Sequence, residues 1–149
     1  MLLILLLDLG LRVSEVADLQ ADDFNSEMGM LEVYRRKTDT TTTFELLHGK
    51  LKTMRAYFDK VKPLGQLLKG SRKGGKLKGR MSSRAIRYRV KKMGESIDID
   101  NLSPHDLRHT RATRLAGTKN VRELMDWFGW NSPAMAARYI ESAEYITVD

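Results

Sequence analysis

The chain has 149 residues, 42% of them apolar, which suits one domain with a buried core and argues against a disordered chain. It has no cysteine, so disulfides and thiolate metal sites are excluded, and three histidines (His48, His105, His109) leave little material for a zinc centre. The formal charge of +7 favours a polyanionic partner such as nucleic acid.

The first apolar run, Leu2 to Leu7, meets Asp8 and Gly10 long before the roughly 20 residues that a membrane span needs, and no basic segment precedes it as in a signal peptide. It reads as a buried core helix over 2–9, ended by Gly10. Met1 opens inside that helix with no cap before it, so we expect an upstream part to be missing. Ser14 is placed to cap a short helix through Val16 and Leu19. Residues 30–34 and 42–47 read as two strands, on Leu31, Val33 and the β-branched threonines, with 35–41 as their polar connection. Residues 50–60 read as an amphipathic helix with Leu51, Met54, Tyr57 and Phe58 on one side, broken by Pro63 and Gly65.

From 60 to 94 there is no acidic residue, and half of the chain's 26 lysines and arginines lie there. Arg72, Lys73, Lys76, Lys78, Arg80, Arg84 and Arg87 are the expected DNA-binding residues, because such a field binds phosphates without sequence preference. Residues 70–79, rich in glycine and lysine, read as a flexible basic loop. A phosphate-binding loop is excluded by spacing and by the lack of a framing strand and helix. Ser82 or Ser83 then caps a helix to about residue 93, with arginines on its outer faces.

The last third carries three helix starts. Ser103 at the N-cap with Pro104 at the first position opens a helix on which His105 and Arg108, three apart, share a face, and Gly117 ends it. Asn120 with Glu123 makes a capping pattern for a helix through Val121, Leu124, Met125 and Phe128, stopped by Gly129. Ser132-Pro133 opens an alanine-rich helix carrying Tyr139. No repeat or linker divides the chain. The expected fold is one domain over 1–149, mainly α with a small antiparallel β-sheet (α+β).

Breaking a phosphodiester needs a nucleophile, a proton for the leaving oxygen, and cations against the charge on the non-bridging oxygens. No tight Asp/Glu cluster suggests a metal site, and the arginines suggest a metal-free solution. Planar guanidinium forks match phosphate oxygens and stay charged. A phenol can act as a covalent nucleophile once a base takes its proton, and imidazole exchanges protons near neutral pH.

The motif order is Gly10-Leu11-Arg12-Val13-Ser14-Glu15, then His105-Asp106-Leu107-Arg108-His109, then Phe128-Gly129-Trp130, then Tyr139 nine residues on. It resembles the tyrosine recombinase (phage integrase) family over nearly the whole chain. The resemblance implies that fold's catalytic domain, without the N-terminal helical domain that closes the family's clamp on DNA. It implies that Arg12, supported by Glu15, pairs with Arg108 on the scissile phosphate, and that Trp130 donates its indole N–H there. His105 would handle the proton of Tyr139, the nucleophile; Tyr34, Tyr57, Tyr88 and Tyr145 lack its spacing from the Gly-Trp element. Lys37, between the strands, would protonate the leaving 5′-oxygen, with Arg35 and Arg36 as rivals. The implied partners are double-stranded DNA and further recombinase protomers, four on DNA, with no cofactor, no metal and no membrane, in the cytoplasm at the nucleoid. Two other classes stay open: a DNA-binding fragment that does no chemistry, and a relaxing topoisomerase that shares the chemistry without synapsis. In the folded domain Arg12, His105, Arg108 and Trp130 should converge on one basic pocket beside Lys37, with Tyr139 displaced when DNA is absent.

Overall fold

Hydrophobic periodicity and turn chemistry produce α-helices and two small antiparallel sheets in a computed structural model that describes residues 1–71 and 77–144. The chain starts in a wide π-helical turn, Ile4–Asp8, in which the Leu9 N–H donates to the Ile4 carbonyl at 2.9 Å. Ile4, Leu5 and Leu6 are buried, as the apolar run requires. Gly10 stops the turn at φ 68, a left-handed conformation natural to glycine. Helix α1, Val13–Asp18, follows. Its N-cap is Arg12, not Ser14, because the Glu15 carboxylate reaches back to accept the Arg12 backbone N–H at 2.9 Å.

Strands β1 (Phe24–Asn25), β2 (Met30–Arg35) and β3 (Thr40–Glu45) form an antiparallel sheet in that order. The register sets Leu31 against Phe44, Val33 against Thr42 and Arg35 against Thr40. The connection is shorter than 35–41: the turn takes only residues 36–39, with Asp39 at φ 50. Arg35 is therefore a strand residue on the same face as Leu31 and Val33, and that face is buried.

Helix α2, His48–Val61, buries Met54 and half-buries Leu51, Tyr57 and Phe58. Beyond it, the stretch read as a plain loop is framed by two strands, β4 (Lys69–Ser71) and β5 (Leu77–Arg80), paired antiparallel with Lys69 opposite Arg80. Buried Leu67 and Leu68 on one side and Met81 on the other bring its ends together. Arg72, Lys73 and Lys76 lie outside the described residues.

The remaining helices are α3 (Ser83–Glu95), α4 (Pro104–Ala116), α5 (Val121–Phe128) and α6 (Pro133–Glu144). The Ser82 hydroxyl caps α3 by accepting the Ala85 N–H at 3.1 Å. Helix α4 begins with reciprocal bonds: Ser103 Oγ accepts the Asp106 N–H at 3.3 Å, and the Asp106 carboxylate accepts the Ser103 N–H at 2.9 Å. Asn120 and Glu123 do the same for α5.

Two apolar clusters organise the domain. The larger packs the N-terminal turn, β2, α2 and α3 through residues such as Leu6, Leu31, Met54, Ile86 and Val90. The smaller joins α4, α5 and α6 through Ala112, Leu124, Phe128 and Ala136. Trp127 packs against both. Full burial of one such leucine or phenylalanine contributes about 2 kcal/mol. Among the described residues no helix is long and apolar enough to cross a membrane.

Candidate active site

Arg108 projects from α4 into the seam between the clusters, where it is buried. Its Nη1 donates to the Gly10 carbonyl at 2.7 Å and its Nη2 to the Phe128 carbonyl at 2.9 Å. The guanidinium lies 5.0 Å from the Phe128 ring centroid and 6.0 Å from that of Trp130. Burial, helped by the charge of Arg12, pushes its pKa down to about 10, so it remains charged at neutral pH. Carbonyls and rings orient that charge without neutralising it.

Arg12, partly exposed at the start of α1, gives Nη1 to Glu15 Oε1 at 2.8 Å. The same oxygen accepts Arg35 Nη1 at 2.7 Å. Two guanidiniums thus share one buried carboxylate while a third, Arg108, is held by carbonyls, which leaves a local surplus of positive charge suited to an anion. By sequence Arg35 falls in the polar connection, as a rival to Lys37. It is instead 1% exposed and bonded throughout: Nη1 also reaches the Phe128 carbonyl at 3.1 Å, Nη2 the Trp127 carbonyl at 2.6 Å and Nε the Thr42 hydroxyl at 3.2 Å. Burial pushes its pKa down and Glu15 opposes that shift. Gly129, at φ 65, makes room for it, since a Cβ there would collide with Arg35 Cδ. The sequence signal for Arg35 is the alternation Leu31, Val33, Arg35, which continues one residue beyond the expected strand end at 34.

Arg12, His105, Arg108 and Trp130 line one cleft of about 350 Å³, with Arg87 of α3 and Ser103 also in its wall. The expected convergence of these four side chains is therefore present. Lys37 is exposed in the β2–β3 turn and lines an adjoining cleft of about 320 Å³ with Arg36 and Asp18. Arg12 borders both clefts. Of the basic block, Arg84 and Arg87 are exposed on α3, and Arg80 pairs with Asp18 at 3.1 Å. Lys78 lies on β5.

Tyr139 is not in this cleft. Its ring stacks on Trp130, centroids 5.5 Å apart and planes within 6°. Its hydroxyl is hydrogen-bonded to His109 Nδ1 at 2.8 Å, and the two residues line a separate groove with Arg138 and Ser142. Burial raises the phenol above its ordinary pKa of 10.0, and the charge of Arg108 pulls the other way. The hydroxyl is therefore protonated at neutral pH and needs a base before it can attack. His105, exposed on α4, stands in the cleft without it. That His109 rather than His105 holds Tyr139 had no sequence signal, because the partners are 30 residues apart on different helices. Among the described residues no group of three His, Asp or Glu side chains gathers to hold a metal.

Residues 1–145 match the model of the phage integrase family. The tyrosine recombinase XerA of Thermococcus kodakarensis is 29% identical over 116 residues, covering 77% of this chain and 40% of that protein. The tyrosine recombinase XerS of Streptococcus pyogenes is 34% identical over 118 residues, covering 74% of this chain and 32% of that protein. The chain thus spans less than half the length of these curated relatives. A crystal structure of XerA recombinase superposes on 95% of this chain and 51% of that one with a TM-score of 0.75 at 23% identity. A lambda integrase dimer bound to a COC′ core site superposes on 99% of this chain and 43% of that one, at TM-score 0.69 and 16% identity. These structures share the fold. The matched span takes in every element of the two-arginine cleft and of the helix carrying Tyr139, and the chain belongs to the phage integrase family of tyrosine recombinases.

Proposed function

We propose that this chain is the catalytic domain of a site-specific DNA recombinase that cleaves and rejoins strands through a 3′-phosphotyrosyl intermediate. The observation that carries the reading is the meeting of Arg12 and Arg108 in one cleft, with Lys37 in a second cleft that Arg12 also borders and Tyr139 stacked on Trp130. In the reaction the Tyr139 oxygen forms a bond to the scissile phosphorus and the bond from phosphorus to the 5′-oxygen breaks. The phenol proton goes to His105, and Lys37 supplies the proton that the leaving 5′-oxygen takes up. Arg12, Arg108 and the Trp130 indole N–H hold the non-bridging oxygens as their charge grows. The phosphotyrosyl bond conserves the energy of the broken one, so a 5′-hydroxyl of a partner strand reverses the step and exchanges strands without a nucleotide cofactor. Double-stranded DNA is the substrate, and synapsis brings in further protomers.

The test is covalent trapping on a nicked suicide duplex, read as a gel-shifted adduct that survives denaturant. Adduct from the wild-type protein and none from Tyr139→Phe supports the reading. DNA binding with no adduct, under conditions in which a tyrosine recombinase control forms one, makes it a DNA-binding domain that does no chemistry. Plasmid relaxation without strand exchange makes it a topoisomerase.

A further inference from the structure

We propose that Arg35 is a positioning residue that couples the two phosphate-facing arginines, Arg12 through Glu15 and Arg108 through the Phe128 carbonyl. The inference rests on the phosphate reading of the cleft.

Both links are shared acceptors. Glu15 Oε1 takes Arg35 Nη1 at 2.7 Å and Arg12 Nη1 at 2.8 Å. The Phe128 carbonyl takes Arg35 Nη1 at 3.1 Å and Arg108 Nη2 at 2.9 Å. Arg35 bonds to both acceptors, and it does not line the cleft that Arg12 and Arg108 share. It stands in the wall of the adjoining Lys37 cleft, almost fully buried, with its donors given to acceptors within the protein.

The sharing has two effects. A carboxylate facing Arg12 alone would spend its whole charge on that side chain and hold its fork away from a ligand. With Arg35 on the same oxygen, Glu15 orients Arg12 while leaving its charge available. A carbonyl oxygen has two lone pairs, and Arg35 occupies one at Phe128, which confines Arg108 to the other. Arg35 Nη2 meanwhile holds the Trp127 carbonyl at 2.6 Å, fixing the last turn of α5 from which Gly129 and Trp130 emerge. One planar fork therefore sets three of the groups around the cleft. Lysine, a single nitrogen with no fork, cannot span these acceptors.

The experiment records arginine side-chain Nε–H signals of the whole chain by ¹H–¹⁵N NMR during a titration with inorganic phosphate. In the wild type, Arg12 and Arg108 should shift on binding, and Arg35 should shift with them although it does not line the cleft. In Arg35→Met, which keeps the stem and removes the donors, the phosphate Kd should rise about tenfold, as loss of an outer-shell partner does, with the sheet amide signals in place. Arg35→Lys should stay weakened. Unchanged affinity in a folded Arg35→Met, or full recovery by Arg35→Lys, overturns the proposal. If both variants unfold, the wild type decides: an Arg35 signal that stays still while Arg12 and Arg108 move overturns it. If phosphate moves no arginine in the wild type, it is the phosphate reading that fails. The coupling is then judged without ligand, by whether the Arg12 and Arg108 signals change in Arg35→Met, and unchanged signals overturn it.

Discussion

Tyr139 shares its one oxygen with His109 and its ring with Trp130, and each contact has a measurable consequence. Tyr139→Phe removes that oxygen alone. It should abolish covalent attachment to suicide DNA and leave DNA affinity nearly intact. The same variant tests the raised phenol pKa. A phenol that ionises later in the fold than in the unfolded chain contributes stability below pH 10, and that contribution is lost as pH rises through the folded value. Tyr139→Phe should therefore lose less stability than wild type between neutral and strongly alkaline pH, as read by urea midpoints. Lys37→Ala should slow cleavage of an ordinary substrate. It should recover when the bridging 5′-oxygen is replaced by sulfur, which leaves without a proton. At this scale the sequence revealed the side chains that line the cleft and hid those that touch each other. Arg12, His105, Arg108 and Trp130 stand in short motifs with their own spacing. Arg35 and His109 draw their roles from partners far along the chain, Phe128 and Tyr139, so only the fold displays them.

Among the elements, α4 does most to place the chemistry, since His105 and Arg108 sit in its first two turns. Its start depends on the exchange of bonds between Ser103 and Asp106. Ser103→Ala should cost about 1 kcal/mol in urea unfolding, as loss of a helix cap does. Hydrogen bonds from Ser103 hold the Asp106 carboxyl below its ordinary 3.8. A depressed carboxyl contributes stability above its unfolded pKa and loses it as pH falls through the folded one. Acid should therefore loosen the start of α4 only below about pH 4, and Asp106→Asn should remove that acid limb from the melting profile. The cap of α4 was readable because Ser103 and Pro104 are local signals. The hairpin of β4 and β5 was not. Its glycines and lysines favour a loop, and burial of Leu67, Leu68 and Met81 outside it brings the two strands together. The cap of α1 was misplaced for a related reason: Ser14 is a good cap by type, but Glu15 reaches the backbone of Arg12 first.

For the whole molecule the governing quantity is charge. The acid-free stretch from 60 to 94 supplies α3, whose Arg84 and Arg87 are exposed and whose Arg87 reaches the cleft. A protein that neutralises several phosphates releases as many counterions, so DNA affinity should fall steeply and linearly on a log–log plot against salt. Arg84→Ala with Arg87→Ala should lower that slope by about one per lost phosphate contact. A flat response in the wild type would remove the polyanion argument. The stacking of Tyr139 on Trp130 matters here too. On the proposed function, a domain so basic would land on any DNA, and a nucleophile always in the cleft would make every landing risk a nick. With the phenol lodged against the indole, landing and cutting would be separate events in the proposed reaction. Random encounters would then leave DNA whole, and scission by the proposed route would wait for whatever parts the two rings.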